Sequence, residues 1–595
     1  MRKLTICGLD ITKYAIVLNP IPDPAEKTAA EFLVRVIETV CGVKLPVSDS
    51  AEHGIYIGTR EPSPDVKWDG FRTTTDERNL YLDGNISRGT LYAAYDFAEK
   101  YLGYRRFAID CEVIPSEGEA DIPVGFSVVD NPAFEVRRNS NYDRLNDADM
   151  ASAARLNADI HTDMNAGHGG VVFDFIDCHT YQKYCSAAEY GESHPEYFAL
   201  VNGVRENVPG HQLCLSNPDV LRIVTENVLA ELRAHPETGL IDFSQEDGPL
   251  NCSCEHCAAI DAEEGGTPAG SMIRFVNALA EAVEKEFPDV MIQTFAYEYS
   301  TKPPKLTKAR ENVIIRYCTY DACFRHAIDD PDCAINSVTV FNEMKGWGEM
   351  CHHMSIWNYA ANYSCYAAPF PNLRSLREDH RFFADCNAIH VYNENISPNV
   401  YRIAVDFDEL RSYLNGKLMW DPYMTEEEYN RHMNEFLAAY YGKGWEHIRR
   451  YIDLVHDVTA NRCITCKEEF DICFVHYVTY PPIPMFKPFF RRSYTAKPYQ
   501  PVYPDHALTG LCERMDEAET CMDAALAMAE KDEERERIGL CRYFLNYLKL
   551  FCMEHDEFKM TKEEKAAYEA ECEQFYKDKK KYHGYYNIHT TNRGN

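Results

Sequence analysis

Glu246 and Asp247 are the residues best placed to do chemistry, in the stretch Ile241-Asp242-Phe243-Ser244-Gln245-Glu246-Asp247-Gly248. The stretch reads as a buried strand running into an acidic pair, and carboxyl groups are costly to hold there without a use. Glycoside hydrolysis uses two such groups, one protonating the leaving oxygen and the other acting as nucleophile or base. Successive strand residues point to opposite faces, so only one of the pair aims into a cavity unless the chain has already turned. Gly248 permits such a turn. Glu394, in Val391-Tyr-Asn-Glu-Asn395, ends another apolar strand and is the candidate partner carboxylate.

Sugars stack their C–H faces on aromatic rings while amides and carboxylates fix the hydroxyls. The substrate-binding candidates are therefore Tyr297 and Tyr299, Tyr320, the run Trp357-Asn358-Tyr359, and Tyr392. Asn141, His161 and His168 on early loops complete the set. Cys252-x-Cys254-x-x-Cys257 directly after the acidic pair could form part of a zinc site. A closed site needs four ligands, however, and no second Cys/His pair follows at the usual spacing. The expectation is buried thiols and no metal. Nothing in these residues calls for a cofactor.

The elements that must position these groups show a repeating rhythm. Strands are expected at Phe134 to Asn139, Ala158 to His161, Gln212 to Leu215, Leu240 to Ser244, Val290 to Tyr297, Val313 to Tyr320, Met354 to Tyr359 and Ala388 to Tyr392, with helices between several of them. Eight strands over this length match a (β/α)₈ TIM barrel, whose chemistry sits at the C-terminal strand ends. Residues 1–128 read as a small α/β supporting domain without a Gly-rich phosphate loop, and 129–422 as the catalytic barrel. Residues 423–595 read as a helical domain, interrupted by the Pro/aromatic stretch Tyr480 to Phe490.

Composition narrows the partners. Among 595 residues, 61 Lys and Arg oppose 94 Asp and Glu, a formal charge of −33. A phosphate backbone or an anionic membrane needs a basic counter-surface, so neither is expected as a partner. Met1-Arg-Lys-Leu-Thr-Ile-Cys-Gly has no apolar run before Asp10, so no secretory signal is expected, though a mature chain with its signal removed reads the same way. With 23 scattered cysteines the expected setting is a reducing cytoplasm. The expected partner is a carbohydrate substrate, and homo-oligomerisation is compatible with the composition.

Several motifs resemble known families. Ala29-Ala30-Glu-Phe-Leu, Thr39-Val-Cys-Gly42 and Ile55-Tyr-Ile-Gly58 resemble the N-terminal supporting domain of family 20 β-hexosaminidases and family 67 α-glucuronidases. His194-Pro-Glu-Tyr-Phe-Ala-Leu200, Cys214-Leu-Ser-Asn-Pro218, Ser244-Gln-Glu-Asp-Gly248, Arg274-Phe-Val-Asn277, Pro369-Phe-Pro-Asn372 and Leu410-Arg-x-Tyr-Leu to Trp420-Asp-Pro422 are similar to the bacterial family that includes glycoside hydrolase family 163, endo-acting β-N-acetylglucosaminidases on N-glycans. The resemblance implies a barrel glycosidase of retaining type acting on a β-linked N-acetylhexosamine. By analogy with family 20, the acidic pair would supply the acid and a residue orienting the acetamide. The order there is Asp then Glu; here it is Glu246 then Asp247. An α-glucuronidase-like enzyme is the alternative, with Arg316 or Arg325 pairing a uronate carboxylate. A non-catalytic sugar-binding barrel is the other.

Overall fold

The computed structural model describes residues 2–158, 166–172, 178–363, 366, 368–395, 404–467, 506–552 and 560–582. The expected strand at Ala158 to His161 falls almost wholly outside them, as do His161 itself and the Pro/aromatic stretch.

The first 130 residues build a mixed six-stranded sheet, ordered Ser127–Asp130, Phe71–Thr75, Leu80–Gly84, Gly54–Ile57, Ala15–Val17, Val47–Ser48. Helices Pro24–Cys41 and Ser87–Phe97 cover it. The first starts at Asp23, whose carboxylate caps Ala25 N while Glu26 reaches back to the Asp23 amide, and it stops at Gly42 in the left-handed conformation. Between these ends Ala29, Phe32, Leu33, Val36, Ile37 and Val40 present one buried stripe.

Six strands, all parallel, form the sheet that carries the candidate site: β1 (Val136–Asn139), β2 (Leu240–Asp242), β3 (Met291–Ala296), β4 (Val313–Cys318), β5 (His353–Tyr359) and β6 (Ala388–Glu394). Their spatial order is β1-β6-β5-β4-β3-β2, so the last strand returns beside the first. Among the described residues this is the pairing of a barrel opened between its first and fourth strands: a curled half-barrel, where the sequence predicts a complete (β/α)₈ barrel. One of the two shortfalls has a visible cause. Residues Gln212 to Leu215 turn outward, where Ala199 N donates to Gln212 O and Cys214 N donates to Tyr197 O, leaving one antiparallel bridge between Phe198 and Leu213. Asn217 N donates to Cys214 O as well, so the segment is held against residues 197–199 and in a turn, not beside β2.

The exposed edge of β2 is closed by a loop instead. Thr180 N and Tyr181 N both donate to Ser244 O, Thr180 Oγ1 donates to Asp242 O at 2.9 Å, and His179 N donates to Ser244 Oγ at 3.0 Å. These contacts blunt an edge that would otherwise offer unpaired groups.

Behind the sheet lie helices Pro218–Ala234, Ala269–Glu284, Leu376–Asp385 and Asp408–Trp420. Helices Glu426–Tyr441, Trp445–Val458, Met515–Met528 and Asp532–Tyr547 follow, and Lys562–Tyr582 comes last. One hydrophobic core runs without interruption from Ile241, Ile292 and Ile356 through Leu414 and Leu418 to Phe436, Ile448, Met522 and Phe544. No described helix is long and apolar enough to cross a membrane.

Two ion clusters lock the first domain to the half-barrel. Asp69 is 1% exposed and bonds Arg88 at 3.0 Å, Arg137 of β1 at 2.6 Å and Asn157 Nδ2 at 2.6 Å. Glu99 meets Lys417 at 2.8 Å and Arg155 at 3.3 Å.

Candidate active site

Alternation along the strands sorts the side chains into layers. Deep in the sheet's concave face, Gln293 Nε2 donates to Asp242 Oδ2 at 2.8 Å, Arg316 Nε donates to Ser355 Oγ at 3.2 Å, and the Arg138 guanidinium sits 3.8 Å from the Tyr392 ring centre. Burial raises the Asp242 carboxyl, lowers Arg316 and takes His390 down to about 3, so the charge on this layer is tightly managed.

One step toward the strand ends the character changes. A cavity of about 190 Å³ opens there, with Phe295, Cys318 and Trp357 from β3, β4 and β5 at its base. Tyr297, Tyr359 and Tyr363 wall it, and its polar groups are His179, Asp247 and Glu394. Two acids that lie 147 positions apart in sequence thus meet one cavity.

Each carboxylate is held by an aromatic donor. Trp357 Nε1 donates to Glu394 Oε2 at 2.8 Å, which follows from register: Trp357 stands opposite Tyr392, and Tyr359 opposite Glu394. Tyr297 donates its hydroxyl to Asp247 Oδ1 at 3.1 Å. Burial and the neighbouring Asp247 charge raise the Tyr297 phenol, so it stays a donor. Glu394 is buried while Asp247 is exposed at the rim.

Glu246 is turned away. Its Oε1 accepts from Gln182 N at 2.9 Å, and burial raises its carboxyl above the ordinary range. Gln212 clasps its main chain from both sides, donating to Glu246 O at 2.6 Å and accepting from Glu246 N at 3.1 Å. Gly248, at φ +123°, lets the chain leave in a direction other residues rarely adopt. The acidic pair is therefore divided: Asp247 meets the cavity and Glu246 fastens the loop.

Of the other sequence candidates, Tyr297, Trp357 and Tyr359 line the cavity. Tyr320 packs against Tyr297 and Tyr359 at 5.8 and 5.3 Å, and Tyr392 lies edge-on to Trp357 at 5.0 Å, both behind the lining. Tyr299 donates to Gln212 Oε1 at 3.2 Å, supporting the Glu246 clasp. Asn358 faces the opposite side of β5, bonded to Thr319 and Asn393. Asn141 caps a short helix and bonds Asp408 and Glu409, and His168 bonds Asp149 at 3.0 Å; both lie away from the cavity. Neither arginine considered for a uronate lines it. Arg316 sits one step deeper on its strand than Cys318, and Arg325 binds Thr459 Oγ1 and His456 O among the C-terminal helices.

His179, Phe295, Cys318 and Tyr363 are the lining residues that spacing did not single out. His179 Nδ1 lies 2.7 Å from Gln245 O, which only accepts, so Nδ1 carries the proton and Nε2 the lone pair. Its backbone φ of +59° is unusual for a histidine. Sequence carries no sign of that conformation.

A family model described as a domain of unknown function, DUF4838, matches residues 107–453. No curated protein matches the chain. Among solved structures, a family GH115 4-O-methyl-α-glucuronidase with specificity for decorated arabinogalactans superposes with a TM-score of 0.51 at 12% identity, over 95% of this chain and 76% of that one. A GH138 enzyme targeting pectin rhamnogalacturonan II gives 0.48 at 9% identity, over 96% and 88%. The GH20 β-N-acetylhexosaminidase from Streptomyces coelicolor gives 0.39 at 12%, over 74% and 92%. At these identities the likeness is one of fold, and these neighbours are glycoside hydrolases.

Proposed function

From the premise that this chain belongs to the DUF4838 family, we propose that it is a glycoside hydrolase with Asp247 and Glu394 as its two working carboxyl groups. The observation that carries the reading is their convergence, from separate elements, on one aromatic-walled cavity at the strand ends. The fold likeness to the GH115 enzyme agrees with it.

The surroundings suggest the division of labour. Glu394 is held deep in the cavity by the hydrogen bond from Trp357, a fixed position that suits a nucleophile or a stabiliser of positive charge on the sugar ring. Asp247 sits at the open rim, where a leaving group departs and a proton can be resupplied, which suits the acid. His179 Nε2 and the three tyrosine hydroxyls can meet sugar hydroxyls.

For the substrate we take a β-linked N-acetylhexosaminide of GlcNAc type, cleaved with retention, as the motif resemblance to families 163 and 20 implies. The described cavity lining holds no Arg or Lys to meet a uronate, while two acids would repel one, and this weighs against the glucuronidase alternative.

The test is hydrolysis of aryl β-GlcNAc, β-GalNAc and glucuronide substrates and of N-glycan oligosaccharides, with the first-formed anomer read by NMR. Asp247→Asn and Glu394→Gln should each lower kcat by about 10²–10⁴-fold with the fold intact. Glu246→Gln should cost less than about tenfold. Cleavage of glucuronides alone would overturn the substrate, an inverted product the stereochemistry, and silence on every substrate together with sugar binding would favour a lectin-like role.

A further inference from the structure

Two groups of sulfur and nitrogen donors stand outside the candidate active site, and the first supplies the ligand missing from the sequence. Cys214, Cys252, Cys254 and Cys257 are all buried, with their Sγ atoms within 4.8 Å of one another. Cys214 Sγ lies 3.6 Å from Cys254 Sγ and 4.0 Å from Cys257 Sγ. Four thiolates about 2.3 Å from a zinc ion stand about 3.8 Å apart along the tetrahedron's edges. A disulfide would bring two of them to about 2.0 Å, and none is that close.

Ordinary core packing does not account for this group. Among the described residues, the cluster it belongs to has only Ala199 and Val201 as its other buried members, too little apolar surface to need four cysteines. Polar groups also gather on the sulfurs, among them Ser216 Oγ, which lies 3.1 Å from Cys257 Sγ. Leu200 N donates to Cys252 Sγ at 3.3 Å, Arg205 reaches it at 3.9 Å, and Ser216 Oγ lies 3.6 Å from Cys254 Sγ.

The second group is Cys323, His326, Cys333 and Cys463, again with ligand atoms within 4.8 Å of one another. Cys333 Sγ to Cys463 Sγ is 3.8 Å, and Cys323 Sγ to His326 Nδ1 is 3.4 Å. A zinc site of this type has edges of about 3.8 Å between sulfurs and about 3.6 Å from sulfur to nitrogen. His326 Nε2 lies 2.9 Å from Ala460 O, so Nε2 holds the proton and Nδ1 presents its lone pair to the sulfurs. Asn336 N and Ile464 N donate to Cys333 and Cys323 at 3.3 and 3.4 Å.

We propose that this chain holds two structural zinc ions, one in a Cys214/Cys252/Cys254/Cys257 site and one in a Cys323/His326/Cys333/Cys463 site. Each ion fills four protein positions and leaves none open, which marks a structural site, not a catalytic one. Binding replaces the thiol protons with Zn²⁺, four at the first site and three at the second, and these are released to solvent.

Both sites connect through the chain to residues that support the cavity. The first clamps the chain just after Asp247 to the segment holding Gln212, which clasps Glu246. The second anchors Cys463, three residues before Cys466, whose Sγ donates to Tyr320 O and whose carbonyl accepts from Tyr363 N.

The experiment is elemental analysis of full-length protein purified without metal-affinity resin or chelator. Two zinc ions per chain are expected. Cys254→Ser/Cys257→Ser and Cys323→Ser/Cys463→Ser should each retain one, and cobalt exchange should give sulfur-to-metal charge-transfer bands from both. Where a variant fails to fold, mercurial titration of the wild type replaces it, and should release two zinc ions into a chromogenic chelator as the thiols react. A metal-free protein with all seven thiols free overturns both sites. One ion, or an ion that survives its own double substitution, overturns the site concerned.

Discussion

The contrast between Glu246 and Asp247 shows how far residue type alone can point to chemistry. Their adjacency made the pair conspicuous, and their separate duties come from Gln182 and Gln212, which hold Glu246 away from the cavity. Glu394 was legible because an acid after an apolar strand is unusual. His179 was not, since its place depends on a positive φ and on the Ser244 and Gln245 contacts. The bond from Trp357 to Glu394 gives a prediction at this scale. Trp357→Phe keeps an aromatic wall and removes the donor, so kcat should fall about 10- to 100-fold, the worth of a hydrogen bond to a charged group. KM should change far less if the bond matters to the transition state. A variant with unaltered kcat would release Glu394 from the role given to it.

At the scale of elements, short apolar runs in a strand–helix rhythm located β1 to β6 to within a few residues, because parallel strands buried on both faces read as near-continuous apolar segments. The strand expected at Gln212 to Leu215 failed for a tertiary reason. Its residues are suitably apolar, but its backbone pairs with residues 197–199 and its side chains serve Glu246 and the thiol cluster. No local propensity records a competition between partners so far apart. The missing fourth thiol has the same explanation: Cys214 lies 38 residues before Cys252, so a search at motif spacing passes over it. Asp69 supplies the prediction here. Burial alone would raise its carboxyl, but Arg137 and Arg88 reverse that and hold it below the ordinary range. Asp69→Ala strips both buried guanidiniums of the carboxylate they share, and should destabilise by about 3–5 kcal/mol in chemical denaturation. A loss below about 1 kcal/mol would mean water reaches the joint.

Across the whole molecule, stability should depend on pH in two opposed ways. Glu99 would be raised by burial, but Lys417 and Arg155 outweigh this and bring it to about 2. A depressed carboxylate adds stability that is complete above its unfolded value, about 4.3, and that is lost as pH falls toward 2. Asp406 runs the other way, lifted by burial to about 6 in spite of Arg411 and the Phe370 amide. Its charged form opposes folding above pH 6, and stability returns as pH falls below that value. Burial keeps His380, His390, His432 and His456 neutral down to about pH 3 to 4, so they cost stability as pH falls below about 6.5. The Tm should therefore fall from about pH 6.5 downward, with Asp406 softening the fall between about pH 6 and pH 4 and Glu99 steepening it below that. Asp406→Asn should steepen the fall between about pH 6 and pH 4 and leave the region below unchanged; an unchanged profile would contradict this account. The core shared by the half-barrel and the C-terminal helices has a consequence in time as well as space. On the ribosome, the sheet is complete once Glu394 emerges, yet its covering partners extend to Phe544, 150 residues later. At ordinary elongation rates that wait is on the order of ten seconds. Through it the nascent chain carries the apolar stripe of Leu410, Leu414 and Leu418 incompletely covered, which is the interval when a chaperone would matter most.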